Sequence, residues 1–283
     1  MIDNVAIVTG SNKGLGLATV KALCQRFDGT VYLTARNEAL GLKAVKELNE
    51  IGLYPQFHQL DVTDEDSIRK LAEFVMNKHE GFDVLVNNAA VFEWQEIYPS
   101  YEAAKRNIDT NYKSLLTIEK YLYPLLRDGG KVVNVSSACG HLSNIKNKTW
   151  LDQLLSPDLT TEQLNQFVDQ YLESVRNGTF DKKDFADEGK HAEHRISKIA
   201  LTALTKIQQK KYPNISINAV YPGHIKTDMA HNTGTIEPDE AAKVIMYLIF
   251  DVSPHLKGTY MWNDGKIMDW YDAESDFSFL CPW

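Results

Sequence analysis

The sequence predicts an α/β fold: a doubly wound, seven-stranded parallel sheet with helices on both faces. Short apolar runs bounded by turn residues alternate with stretches of helical periodicity along most of the chain. Such alternation gives parallel strands whose two faces are both covered. The first strand and helix are joined by three glycines, Gly10, Gly14 and Gly16, at the spacing G-x-x-x-G-x-G. There is no internal repeat, low-complexity segment or obvious linker, so residues 1–283 read as one domain.

The first strand covers residues 5–8, and the helical period begins just after the glycines. A helix N-terminus presents unpaired N–H groups and partial positive charge, which suits a pyrophosphate. Gly10 permits the turn; Gly14 and Gly16 remove side chains where backbone meets ligand and helix meets strand. The same glycines would serve an ordinary strand–helix turn. Lys13 puts a cation inside the loop. The second strand, 30–35, ends at Arg36, twenty residues beyond Gly16. In a dinucleotide-binding unit this position meets the adenosine ribose. An acid there takes the 2′-hydroxyl, whereas an arginine accommodates a 2′-phosphate. Arg36 and Lys13 then make a two-cation clamp; the alternative is a solvated arginine. A helix over 38–51 precedes a third strand, 56–60, which ends at Asp61. Asp61 takes an adenine amino group or caps the next helix, whose own start is marked by Thr63, Asp64, Glu65 and Asp66.

A fourth strand, 83–86, runs into Asn87-Asn88-Ala89-Ala90, residues small enough to let a cofactor pass close to the backbone. A long helix over 101–126 contains Asn111. A fifth strand, 131–135, leads into Ser136-Ser137-Ala138-Cys139-Gly140. The rhythm then breaks from 141 to 190. Thr160 and Gln163 have capping-box spacing, and Leu164, Phe167, Val168, Tyr171, Leu172 and Val175 form one helical stripe. This reads as a helical insertion docked on the core. A helix over 192–210, a strand over 215–220 followed by Tyr221-Pro222-Gly223, a helix over 238–250 and a strand over 259–262 complete the pattern.

Apolar content of 43% and charged content of 24% are those of an ordinary soluble protein. A formal net charge of −8 disfavours nucleic acid as a partner. The first residues lack a basic-then-apolar pattern, and the apolar run 244–250 is too short to span a bilayer. Cys24, Cys139 and Cys281 are odd in number without metal-ligand spacing, which predicts reduced thiols in the cytoplasm and no metal site.

These residues resemble the short-chain dehydrogenase/reductase superfamily, and within it the monomeric NADPH-dependent carbonyl reductases. The likeness lies in Thr9-Gly10-Ser11-Asn12-Lys13-Gly14-Leu15-Gly16, Ala35-Arg36, Leu60-Asp61-Val62, Asn87-Asn88-Ala89-Ala90, Thr110-Asn111, Val133-Asn134-Val135-Ser136-Ser137, and Pro222-Gly223 through Ile225 to Lys226-Thr227-Asp228-Met229. It runs from residue 5 to about 270 and leaves a tail, 272–283, without a reading. The resemblance implies a Rossmann-type sheet of order 3-2-1-4-5-6-7 and NADP(H) as cofactor. It implies cofactor contacts from Gly10, Asn12, Lys13, Gly14, Leu15, Gly16, Arg36, Asp61, Val62, Asn87, Ala89, Lys198, Pro222, Gly223, Ile225 and Thr227. The substrate, a small-molecule carbonyl, would lie near Ser137, Ala138, Cys139 and His224. Many relatives form tetramers through the helices carrying Asn111 and Lys198; an insertion docked over them predicts a monomer.

The family's catalytic set is Asn, Ser, Tyr and Lys. Asn111 matches the asparagine that holds a helix carbonyl and a relay water. Ser137, chosen over Ser136 by its spacing to Gly140, matches the serine that binds the substrate oxygen, and Lys198 the lysine on the nicotinamide ribose. Tyr-x-x-x-Lys is replaced by His194-Arg195-Ile196-Ser197-Lys198, and Ala90 stands where the family has glycine. The i, i+4 spacing keeps His194 and Lys198 on one helix face. Beside Lys198 and an oxidised nicotinamide the imidazole would be mostly neutral, a donor of an N–H bond but a poor proton donor. Two functions compete: a weakened reductase of ketones, aldehydes or quinones, and an NADP(H)-binding sensor or partner-binding module with little catalysis.

Overall fold

The computed structural model describes residues 3–92 and 100–272. Seven strands form one sheet: β1 (Val5–Val8), β2 (Thr30–Ala35), β3 (Gln56–Gln59), β4 (Phe82–Asn87), β5 (Leu126–Val135), β6 (Ser216–Tyr221) and β7 (Tyr260–Trp262). Their order is β3-β2-β1-β4-β5-β6-β7, and all neighbours are parallel. Count, direction and order match the sequence expectation. The chain winds outward from β1 to β3 and then returns to β4 on the other side of β1. The strand ends therefore open a crevice at that switch point.

Side chains alternate between two cores, as a strand's period of two requires. Val5 and Ile7 of β1 join one, Ala6 and Val8 the other. The second core is closed by α1 (Gly14–Arg26), α2 (Glu38–Glu50) and α9 (Pro238–Met246). The first is closed by α3 (Glu65–His79), α4 (Tyr101–Ile108), α5 (Ser114–Leu122), α7 (Thr161–Arg176) and α8 (Ala192–Lys211). A shorter helix, α6 (Lys148–Leu154), belongs with α7 to the expected insertion. The capping box forms: Thr160 Oγ1 accepts from Gln163 N, and Gln163 Oε1 accepts from Thr160 N. Leu164, Phe167, Val168, Tyr171 and Leu172 are buried, and α7 packs on both α4 and α8. Tyr112 Oη donates to Asn165 Oδ1 at 2.8 Å and ties α7 to the segment between α4 and α5.

Four expectations need correction. The helix over 101–126 is interrupted by a π-helical turn, Asp109–Lys113, and ends in a 3-10 turn, Tyr123–Leu125. Pro124 has no N–H to continue the ladder, and β5 starts at Leu126 rather than 131. Residues 127–130 bulge between the Phe82–Leu126 and Val84–Lys131 pairings. Arg127 holds that bulge by donating to Asp83 Oδ2 and to the His79 and Gly81 carbonyls. Asp61 does not cap α3: it accepts from Thr63 N and Oγ1, and Asp64 is the cap. Finally, Cys24 is free, but Cys139 is disulfide-bonded. The cytoplasmic reading loses the support it drew from reduced thiols. Among the described residues no helix is long and apolar enough to cross a membrane, and no group of His, Cys, Asp and Glu could hold a metal ion. The part of the tail over 273–283 lies outside the described residues.

Candidate active site

A cavity of about 570 Å³ occupies the crevice at the β1–β4 switch point. Its floor is the glycine loop. Gly10 has φ +59°, and a Cβ there would stand 2.8 Å from Ala89 Cα. A Cβ on Gly16 would stand 2.5 Å from Asn88 Nδ2 and 2.7 Å from Ser11 Cα. Neither site has room for a side chain. Lys13, the N-cap of α1, makes no side-chain capping bond, and the first turn holds no acid. The helix thus presents uncapped N–H groups and its positive end to the cavity. That arrangement fits the phosphates of a dinucleotide. Asn12, Leu15, Val62, Ala89, Pro222, Gly223, Ile225 and Thr227 also line the cavity, and so does Asp61.

The expected cation clamp is half formed. Arg36 lines the cavity, and its guanidinium has no ion pair among the described residues. Lys13 Nζ instead pairs with Asp228 Oδ2 at 2.9 Å across the mouth. Asn87 lies outside the lining. It is buried beneath the loop and donates to Asn134 Oδ1. Its neighbour does work the sequence reading missed: Asn88 Nδ2 donates to the Thr9 and Gly10 carbonyls, both at 2.9 Å. Thr9 Oγ1 accepts in return from the N–H groups of Asn88 and Ala89. A strand's alternation carries the signal, since the first asparagine faces the sheet and the second the turn.

Ser137, His194 and Lys198 line the same cavity. Ser136 Oγ is engaged by Thr202 Oγ1 at 2.8 Å, whereas among the described residues Ser137 Oγ only accepts from Cys139 N, which leaves its own proton for a bound oxygen. Tyr260 Oη, another residue absent from the sequence reading, donates to the Ser137 carbonyl at 2.5 Å. Lys198 Nζ donates to the Val135 carbonyl at 2.8 Å, and burial lowers its pKa to about 8. His194 is 7% exposed and meets Phe92 edge-on at 4.9 Å. Burial first, then the charges of Lys198, His191 and Arg195, hold its pKa well below the ordinary value, so the ring is neutral. His194 Nδ1 has no hydrogen-bond partner among the described residues.

Asn111 sits in the π-turn behind this wall and does not line the cavity. Its amide accepts from Val91 N at 2.8 Å and donates to Val91 O at 2.9 Å, clamping the backbone after β4 rather than a helix carbonyl. It also donates to Ser197 Oγ, which donates to the His194 carbonyl, so one chain of bonds joins this wall to α8. Of the expected substrate contacts, only Ser137 reaches the cavity. Ala138 and Cys139 are turned into the core at 0% and 1% exposure, and His224 is not part of the lining. Phe92, Tyr221 and Met229 line it instead.

The profile of the short chain dehydrogenase family matches residues 4–149. Carbonyl reductase [NADPH] 1 of Oryctolagus cuniculus is 35% identical over 276 residues, covering 94% of this chain and 98% of the relative. The Bos taurus protein of that name is 38% identical over 252 residues, covering 86% and 90%. Among solved structures, salutaridine reductase from Papaver somniferum superposes with a TM-score of 0.83 at 28% identity, covering 91% of this chain and 99% of that one.

The buried imidazole sets a stability window. In the unfolded chain His194 takes up its proton near pH 6.5; in the fold it does so only well below that. As pH falls through 6.5 the unfolded state binds more protons, and folding stability declines. His194→Gln should remove about 1 kcal/mol of the loss seen by urea unfolding between pH 7 and 5.5. An acid limb identical to wild type would place the protonation elsewhere. Lys198 gives the opposite limb: its buried charge opposes folding below about pH 8 and is relieved as pH rises toward 10.5.

Proposed function

The chain belongs to the short-chain dehydrogenase/reductase family, and from that premise we propose that it is an NADPH-dependent reductase of ketones, aldehydes or quinones whose turnover is slow. The observation that carries the reading is that Ser137, His194 and Lys198 line one cavity together with the glycine loop and the uncapped start of α1. The similar carbonyl reductases [NADPH] support the substrate class and the cofactor. Arg36 beside the mouth and Lys13 in the loop supply the charge for a 2′-phosphate. Bound NADPH would provide the hydride.

The residues of the chain then divide the remaining tasks. Ser137 Oγ donates its proton bond to the substrate oxygen. Among the described residues Lys198 keeps two of its three N–H donors after serving Val135, enough to hold ribose hydroxyls. Below about pH 8 it is charged, and that charge disfavours the imidazolium form of His194. His194 stands where the family's tyrosine would stand. A neutral imidazole can polarise a carbonyl through an N–H bond. It cannot readily deliver a proton to a developing alkoxide, and loss of a positioned acid lowers rates by about 10²–10⁴. Its depressed pKa and half-unpartnered ring also favour a second reading: a protein that binds NADP(H) and turns over very little, acting as a sensor or partner-binding module.

The packing of α7 over α4 and α8 supports a monomer, because it covers the helices through which relatives associate. Light scattering at micromolar concentration should give the mass of one chain, 32.1 kDa; a stable dimer or tetramer would refute this. Fluorescence titration should show preference for NADPH over NADH, and Arg36→Asp should abolish that preference. Retained selectivity in the variant would remove Arg36 from the phosphate site. His194→Tyr should raise kcat toward a panel of carbonyls by about 10²-fold and leave NADPH affinity nearly unchanged. If the wild type turns over rapidly and His194→Ala abolishes it, the imidazole is a working acid and the slow-turnover reading fails. If His194→Tyr stays inert with every carbonyl while NADPH still binds, the binding-module reading replaces the reductase.

A further inference from the structure

We infer that Asp228 competes with the cofactor's phosphate for Lys13 and thereby sets both the affinity for NADP(H) and the margin over NAD(H). The inference rests on the reading that Lys13 belongs to the phosphate clamp. Lys13 Nζ lies 2.9 Å from Asp228 Oδ2, with side-chain exposures of 68% and 70%. Both residues line the cavity, one from the glycine loop and one from the segment after β6. The two segments touch: a Cβ on Gly14 would stand 3.3 Å from Thr227 Cγ2. An anion entering between them therefore meets a carboxylate already holding the lysine.

The two partners differ in freedom. Lys13 is the N-cap of α1 with an extended backbone, and its ammonium rides on a flexible four-carbon stem. Asp228 begins a 3-10 turn, Asp228–Ala230, wound tight by further bonds. Asn232 N donates to the Thr227 carbonyl at 2.8 Å, and Thr233 N to the Ala230 carbonyl at 2.8 Å. His231 and Asn232 both have left-handed backbones, with φ of +47° and +58°. The carboxylate stays and the ammonium moves. A dianionic 2′-phosphate, with Arg36 already beside it, outbids a single exposed carboxylate, whose pair is worth little in water. NADH, which lacks that phosphate, gives Lys13 less reason to leave. Asp228 thus weakens both dinucleotides by its charge at the mouth and NADPH specifically by holding the lysine.

A double-mutant cycle reads this directly. NADPH and NADH dissociation constants are measured by fluorescence for wild type, Asp228→Asn, Lys13→Ala and the double variant. Asp228→Asn should tighten NADPH by about two- to fivefold at low salt, widen the NADPH/NADH ratio and lose its benefit toward 1 M salt. In the Lys13→Ala background the gain in NADPH/NADH ratio should vanish. A gain in ratio that survives there would overturn the competition, since Asp228 would then act without Lys13. Weaker NADPH binding by Asp228→Asn would also overturn it, because the pair would then clasp the bound nucleotide together. If Lys13→Ala binds NADPH as wild type does, Lys13 is not in the phosphate clamp and the underlying reading falls with the proposal. If in addition Arg36→Asp keeps its preference for NADPH, the whole clamp is misplaced.

Discussion

A methyl group on Gly10 would stand 2.8 Å from Ala89 Cα, and one on Gly16 2.5 Å from Asn88 Nδ2. The turns after β1 and β4 are pressed backbone to backbone, and the geometry of the cavity follows from that contact. Asn88 and Thr9 stitch the turns together with four hydrogen bonds. Because β1 is bound on both sides, by β2 and β4, the stitched turns cannot drift. They aim α1 so that its uncapped N–H groups look into the crevice. Buried amide bonds of this kind stabilise modestly one at a time, but leaving any of them unmade inside the protein costs about 1–3 kcal/mol. The register of the glycine-loop region is therefore set by chain packing before any ligand arrives.

Around His194 and Lys198, burial of ionisable groups governs. Helix α8 buries His194, Arg195 and Lys198 within five residues, at 7%, 0% and 4% exposure. Arg195 is held by the Lys190 carbonyl and Asn144 Oδ1, and Lys198 by the Val135 carbonyl. Burial lowers the Lys198 pKa to about 8. Burial first, and then the charges of Lys198, His191 and Arg195, disfavour the imidazolium, so the imidazole is the group that stays neutral. A phenol at that position would be neutral in its resting form and stabilised as an anion by the same lysine. The neighbourhood suits a tyrosine's chemistry and suppresses a histidine's.

Short-range features were legible. The G-x-x-x-G-x-G turn, the i, i+4 pair on α8, the Thr160–Gln163 box and the stripe of α7 are all properties of a few adjacent residues, and each lies where its spacing predicts. Strand order was not readable from residues alone and came with the family likeness. What escaped was long-range or sub-periodic. Lys13 and Asp228 are 215 residues apart in sequence, so nothing local marks their pairing. Composition argued for reduced thiols, yet pairing of Cys139 depends on where the fold carries its chain. Asn87 and Asn88 both fit the motif, and only the pleat distinguishes them. Ala138 and Cys139 follow Ser137 in sequence, but the 3-10 turn, Ala138–Gly140, rotates them into the core.

The π-turn at Asp109–Lys113 has a consequence for how this segment tolerates change in length. A π-turn is an α-helix carrying one extra residue, so α4 and α5 are two helices about 100° out of phase, joined without a break. The phase of α4 is anchored by Ala103, Ala104 and Ile108, that of α5 by Leu115, Ile118 and Leu122, all buried. Asn111 sits at the seam, and its reach to Val91 depends on the surplus residue. Removing one residue here would regularise the helix, which intrinsic propensity would welcome. It would also turn either the apolar stripe of α5 or the amide of Asn111 away from its partner. The segment is locally a defect and globally a gauge: its length is counted from both ends, and only the irregular form satisfies both counts.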